Sequence, residues 1–393
     1  MARRGGACGI WVAGLGLLLV LGVGCDSPAP TPDRAPAPAP TERGGPTPSI
    51  APLPTPAAAI VLTGPTGPVT TLAWAPDGRL LAAGAGDLAA APDPLVYLWR
   101  ADGGFVAALR GSASAVFSLA WSPDGQTLAT GSQDQMIRLW GADGTLERTL
   151  AGQAGTVFAL AWSPDGHTLA AASIRDLAPT VQLWQPTGTL LQTLHTDGSG
   201  GKFFNLAWSP DGRWLAGGAT DYKLWRADGR EVAHQRDSTP AWGLAWAPDS
   251  RHWATGDESG GVVIYDTAGT VVTRLYNSGN VDSLAWSPDG TILAGGDGVT
   301  FWRVVDGTRL ATHDPSGRRA NSVAWSPDGT LLASGGADPG VRLWQAGGQA
   351  AGVLSGHTAP VTKVAWSPDG RILASAAEDR TVRLWRVAAA RAP

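Results

Sequence analysis

Cysteine is almost absent from this 393-residue chain: Cys8 and Cys25 are the only two, and both lie in the first 25 residues. The remainder therefore has no disulfide framework, no cysteine-based zinc site and no thiol nucleophile. Charge is scarce as well, at 16% of residues, too little for a coiled coil or a set of long solvated helices. An excess of basic charge is also missing. The net charge is −4, or −6 once Arg3 and Arg4 leave with a leader, so no field draws in phosphate backbones and no nucleic-acid partner is expected. His167, His195, His234, His252, His313 and His357 stand singly, without acidic neighbours at metal-ligand spacing, so neither metal nor cofactor is expected. The glycine-rich strings lack the Lys-Ser/Thr and following helix of a phosphate loop. Against these absences stand 53 glycines, 30 prolines and 19 tryptophans, the composition of a turn-rich, short-stranded β architecture.

The chain divides at about residue 58. Arg3 and Arg4 precede an apolar run over residues 9–24, a charged region followed by a hydrophobic one of signal-peptide length and short of a membrane span. The run ends in Gly22-Val23-Gly24-Cys25, which resembles the cleavage motif of bacterial lipoproteins, with Gly22 where that family has leucine. The resemblance implies that residues 1–24 are removed and that Cys25 is lipidated; a plain secretory leader or an uncleaved anchor is the alternative. The expected location is the cell envelope outside the cytoplasm, on a membrane through the lipid alone, or secreted if the motif is not used. Residues 26–58 carry 11 prolines in 33 positions, so residues 25–57 read as an extended tether with nothing to build a core.

From residue 58 to 387 one unit recurs. The string Trp-Ser/Ala-Pro-Asp-Gly/Ser begins at Trp74, Trp121, Trp162, Trp208, Trp246, Trp286, Trp325 and Trp366, 38 to 47 residues apart. Each copy is followed by an alternating apolar run closed by Trp99, Trp140, Trp184, Trp225, Tyr265, Trp302, Trp344 or Trp385. Residues 361–366 alternate as a strand with two unlike faces, 367–370 supply Pro and Gly for a tight turn, and 371–375 and 381–385 read as two further strands. A fourth strand follows in units 1 to 7, for example at 146–150, 190–194 and 271–275. After Trp385 only a short Ala-rich tail remains, residues 388–393 at its end, while an unclaimed apolar strand stands at 59–63. That strand is expected to complete the last unit.

The spacing of about 40 residues, the WSPDG turn, the RLW strand ends and the Gly356-His357 pair together resemble WD40 repeats. The propellers of the Tol system share the WSPDG turn. The second aromatic 19 residues after the first in units 2, 5, 7 and 8, and one full His-Ser-Asp-Trp set, separate the chain from them. The resemblance implies an all-β fold, an eight-bladed WD40-like propeller closed by the N-terminal outer strand, with only short outer edges exposed.

His357, Ser375 and Asp379 have the composition of a hydrolase triad, but no oxyanion motif or nucleophile elbow accompanies the serine. In the family that the chain resembles, these residues and Trp385 form a buried structural hydrogen-bond network. Thr130 with Asp134, and Ser334 with Asp338, lack the histidine, so their blades are expected to depend more on apolar packing. A second pattern lies four residues before each WSPDG tryptophan: Thr70, Phe117, Phe158, Phe204, Trp242, Asp282, Asn321 and Thr362. Strand alternation puts this position on the face of the core Trp, at the open end of the innermost strand. Phe117, Phe158, Phe204 and Trp242 with nearby Lys202, Arg175, Arg318 and Arg319 are expected to form a partner-binding face; the alternative is that the rings fill the central channel. The expected function is a non-enzymatic, monomeric platform for a protein or peptide partner. A propeller enzyme or small-molecule binder using the funnel is the competing reading. An envelope-assembly scaffold, by likeness to the eight-bladed lipoprotein of the outer-membrane β-barrel machinery, is another.

Overall fold

The computed structural model describes residues 59–86, 96–153, 155–175, 178–195, 205–218, 221–236, 241–277, 279–313 and 320–387. Among them there is no helix. They form eight antiparallel four-stranded sheets, each with its strands in chain order except the last. The innermost strands are Val69–Trp74, Val116–Trp121, Thr156–Trp162, Asn205–Trp208, Ala241–Trp246, Leu284–Trp286, Ala320–Trp325 and Val361–Trp366. Each touches the next, and the eighth touches the first, so the sheets are the blades of a closed propeller.

The ring closes through the N-terminal strand. Ile60–Leu62 pairs antiparallel with Val382–Arg386, Ile60 opposite Leu384 and Leu62 opposite Val382, and so becomes the outer strand of blade 8.

The WSPDG turn is built by its own side chains. In blade 8 the Ser367 hydroxyl donates to Asp369 Oδ1 at 2.6 Å and accepts the Ile372 N–H at 2.9 Å, while Asp369 Oδ1 also accepts the Arg371 N–H at 3.1 Å. Gly370 sits at φ 70°, where a side chain is strained. The same hydroxyl and the Arg371 N–H hold the Asp369 carboxyl below its ordinary value. These aspartates are thus turn formers, as the sequence suggests. In blade 5 Ser250 takes the glycine position at φ 58°, and its hydroxyl accepts the Asp211 N–H of blade 4 at 3.0 Å.

The leading tryptophan of the motif joins blades. Trp121 donates its indole N–H to the carbonyl of Ala73 in the blade before it, at 3.1 Å, and Trp162, Trp208, Trp246, Trp286, Trp325 and Trp366 do the same to Ala120, Ala161, Ala207, Ala245, Ala285 and Ala324. Trp74 reaches Ala365 at 3.1 Å and completes the circle. Alanine recurs before each tryptophan because a small residue lets the next indole approach. Between the blades lie fully buried side chains of the second strands, among them Leu81, Leu128, Leu169, Leu215, Leu293, Leu332 and Leu373, each contributing about 1.5–3 kcal/mol on burial. The fit is close: a Cβ on Gly335 would lie 2.4 Å from Cγ1 of Val361 in the next blade.

Candidate functional site

The polar set of blade 8 is a continuous buried chain. Asp379 Oδ2 lies 2.9 Å from His357 Nδ1, His357 Nε2 lies 2.8 Å from Ser375 Oγ, and the Trp385 indole donates to Ser375 Oγ at 2.8 Å. Every group is satisfied when a neutral His357 carries its proton on Nδ1 and gives it to Asp379, while the Ser375 hydroxyl donates to Nε2. Burial pushes the His357 imidazole below its ordinary value, against the pull of Asp379. Asp379 is raised by burial but lowered more by Thr381, the Thr358 N–H and His357, and it ends below the usual carboxylate range. With Ser375 fully buried and bonded on both sides, the set ties the loop before the inner strand to the third strand, and the serine has no path to a substrate.

Blades 2 and 7 correct the expectation that they depend on apolar packing. Arg138 takes the place of the missing histidine: its guanidinium meets Asp134 at 2.8 Å and 3.2 Å, with both side chains largely buried. Arg342 meets Asp338 at 2.5 Å. Asp134 also accepts the Ala113 N–H at 3.0 Å, as Asp379 accepts that of Thr358 at 2.9 Å. In these two blades the tryptophan indole finds Thr130 Oγ1 at 3.0 Å or Ser334 Oγ at 2.9 Å. Beside Ser334 lies a cavity of about 30 Å³ lined in part by His313, Asp338, Arg342 and Trp344. It has room for one or two waters, and the buried Nε2 of His313 that lacks a protein partner would hold one.

The aromatic position is not a regular strand position. In blades 1, 2, 3, 5, 7 and 8 the register slips by one residue there, leaving Thr70, Phe117, Phe158, Trp242, Asn321 and Thr362 as the extra residue of a β-bulge. A bulge re-aims its side chain, so alternation counted from the core Trp does not apply to it. Three blades use the re-aimed side chain for the backbone. Thr362 Oγ1 donates to Val69 O of blade 1 at 2.5 Å, Asn321 Nδ2 to Val361 O of blade 8 at 3.3 Å, and Thr70 Oγ1 to Gly84 O within its own blade at 3.4 Å. Phe117 and Phe158 instead stack on each other across blades 2 and 3, with centroids 5.2 Å apart and planes 1° from parallel. Both remain partly exposed.

Trp242 is different again: it is buried at 8% exposure, and its indole donates to Glu258 Oε1 at 2.8 Å. Asn205 donates to its carbonyl. Arg175 ends the second strand of blade 3, opposite Ala178. Phe204, Lys202, Arg318 and Arg319 lie outside the described residues, as do Cys25, the leader, the tether and residues 388–393. The structure thus brings Phe117 and Phe158 together and fixes Trp242 by a hydrogen bond of its own.

One residue escaped notice at the sequence level. Lys363, directly after the blade 8 bulge, is exposed, yet the protein around it pushes its amine below the ordinary lysine value by desolvation. The signal was available: Lys363 is the only ionisable residue on the eight inner strands. Among the described residues no group of three or more His, Cys, Asp or Glu side chains is placed to hold a metal ion.

The family model described as WD domain, G-beta repeat, matches residues 58–99, 103–141, 144–185, 188–225, 269–301, 307–345 and 348–386. The chain belongs to the WD40 family. The seven matched WD40 repeats omit 226–268, the segment that holds most of blade 5, where serine replaces the turn glycine and Tyr265 the strand-end tryptophan. Intraflagellar transport protein 80 homologs of Rattus norvegicus and Mus musculus are each 34% identical over 95 residues, 23% of this chain and 12% of theirs. The alignment thus spans about an eighth of those relatives. Among solved structures, that of the computationally designed Ika8 protein is similar, with a TM-score of 0.71 and 22% identity over 83% of this chain and 98% of that one. That likeness concerns the fold alone. WD40 propellers are generally protein-interaction scaffolds without enzymatic activity.

Proposed function

We propose that this WD40 propeller is a non-enzymatic interaction platform, held outside the cytoplasm by a lipid on Cys25, that receives a protein or peptide at the channel end bearing Phe117 and Phe158. The observation that carries the reading is the stacked phenyl pair. At the same bulge position blades 7 and 8 make a hydrogen bond to the neighbouring blade, worth about 0.5–1.5 kcal/mol. Blades 2 and 3 give that up and leave two rings partly in water. Exposed aromatic surface at a position that otherwise stabilises the ring is the usual material of a binding hot spot. A leader followed by a Pro-rich tether supports the location, since such a segment holds a folded body clear of a membrane.

The test is a crosslinking pull-down from cell-envelope extract with the mature protein beside a folded Phe117→Ala, Phe158→Ala variant. Capture of a defined partner by the native protein and its loss from the variant is expected. Equal capture by both would show that the pair is channel filling.

A further inference from the structure

Blade 3 keeps the tryptophan of the polar set and loses the oxygen that receives it. In blades 2, 7 and 8 the second-strand residue that accepts the indole, Thr130, Ser334 or Ser375, stands opposite Arg138, Arg342 or Arg383 of the third strand. The same register in blade 3 sets Ala171 opposite Gln182, and a methyl group accepts nothing. The histidine is replaced as well. Gly152 precedes Trp162 by ten residues, as Gly356 precedes Trp366, so Gln153 takes the place of His357.

The backbone around these changes has the same arrangement as in blade 8. A Cβ on Gly152 would lie 4.0 Å from Cη2 of Trp184, and one on Gly356 would lie 3.4 Å from Cη2 of Trp385. Gln182 Nε2 donates to the Gly152 carbonyl at 3.3 Å, which holds the third strand against the loop of Gln153 and fixes which end of the Gln182 amide is the nitrogen. Gln153, Gln182 and Trp184 are all buried, at 4–6% exposure. Yet the Trp184 indole N–H, both polar atoms of the Gln153 amide and the Gln182 amide oxygen are buried without a hydrogen-bond partner among the described residues.

A buried polar atom that bonds to nothing is costly, and a group of them in one place marks a site for a ligand that can bond to all. Two of these four atoms are donors and two are acceptors, and none is charged, so neither an anion nor a cation matches them. The matching ligand is neutral, donates and accepts at once, and is small, because Ala171 differs from serine by a single oxygen atom. We propose that blade 3 is built around a buried structural water that does the work of the Ser375 hydroxyl. It accepts the Trp184 indole N–H, donates to the Gln182 amide oxygen and bonds one end of the Gln153 amide, the three partners usual for a buried water. Blade 8 thus closes its polar set with side chains alone, and blade 3 closes it with a solvent molecule.

The experiment is a crystal structure of the protein at a resolution that orders buried waters, with Ala171→Ser beside it. Native protein is expected to show a water within hydrogen-bond distance of Trp184 Nε1 and of both glutamine amides. Ala171→Ser should lose that water, its new hydroxyl accepting the indole as Ser334 and Ser375 do. Solution spectra of the unaltered protein give a second measurement. Nuclear Overhauser transfer from water to the Trp184 indole N–H, a resonance assigned by its loss in Trp184→Phe, should carry the sign of a water bound for longer than the protein takes to tumble. A Gln153 oxygen bonded directly to the indole, an indole with no water beside it, or a transfer that is missing or of the opposite sign would each overturn the proposal. So would a serine variant that keeps the water on the indole.

Discussion

Replacing Ser375 by alanine should be more damaging than the same change at Ser334, although both serines accept a buried tryptophan indole in the same place of their blades. Ser375 serves two partners, the Trp385 indole at 2.8 Å and His357 Nε2 at 2.8 Å. Ser334 serves the Trp344 indole at 2.9 Å. A buried polar group left without a partner costs about 1–3 kcal/mol, so Ser375→Ala is expected to cost about 2–6 kcal/mol and Ser334→Ala about half as much. The cavity beside Ser334 widens the gap, because a water there can replace the lost hydroxyl. A propeller of this size need not unfold in one step, so the readout is native-state hydrogen exchange of the blade 7 and blade 8 amides, with urea midpoints alongside. Protection should fall most in blade 8 for Ser375→Ala and in blade 7 for Ser334→Ala. Equal losses for the two variants, or a loss below about 0.5 kcal/mol for Ser375→Ala, would refute the idea that the chain works as one satisfied network.

Acid should weaken the same blade: because burial lowers the His357 value in the folded protein, the unfolded chain binds that proton more readily. Stability is then complete above the unfolded value of about 6.5 and declines as the pH falls below it. The lowered value of Asp379 adds a loss in the same direction at still lower pH, and an urea midpoint that does not fall between pH 7 and pH 5 would contradict the assignment. Trp74→Phe deletes the indole bond to Ala365 that closes blade 1 onto blade 8, and is expected to cost about 0.5–1.5 kcal/mol for the bond, measured by urea unfolding; an unchanged midpoint would deny these indoles a part in holding the ring. Cys25→Ser should release the protein from membranes on fractionation, since a lipid chain is the proposed anchor, and undiminished association would remove the lipid from the account.

Much of the fold was legible because one string repeats its own physics. Trp-Ser-Pro-Asp-Gly encodes a turn that closes with its own serine and aspartate, so finding eight copies amounts to finding eight blades. The closing strand was legible by elimination, as blade 8 lacked an outer strand and 59–63 lacked a blade; the paired strand is Ile60–Leu62. The bulge was not legible, since alternation assumes one residue per position and nothing in Val-Phe-Ser-Leu announces an extra one. The roles of Arg138 and Arg342 were missed for another reason. The absent histidine reads as an absent partner for Asp134 and Asp338, whereas the arginines arrive from the third strand, four residues after each aspartate.

Under the proposed function, the bulge position is divided between stability and recognition. Blades 7 and 8 spend it on backbone bonds that run toward the seam, Asn321 to Val361 and Thr362 to Val69, and the seam is where a ring built from one chain is weakest, since only the three residues 60–62 complete its sheet. Blades 2 and 3 lie away from the seam, each followed by its own outer strand in sequence, and they can do without that bond. A substitution there changes what the channel presents more than whether the ring closes. Exchanging the residues would separate the two demands: Phe117→Thr should leave closure intact and alter only binding, whereas Thr362→Phe should loosen the seam without creating a site.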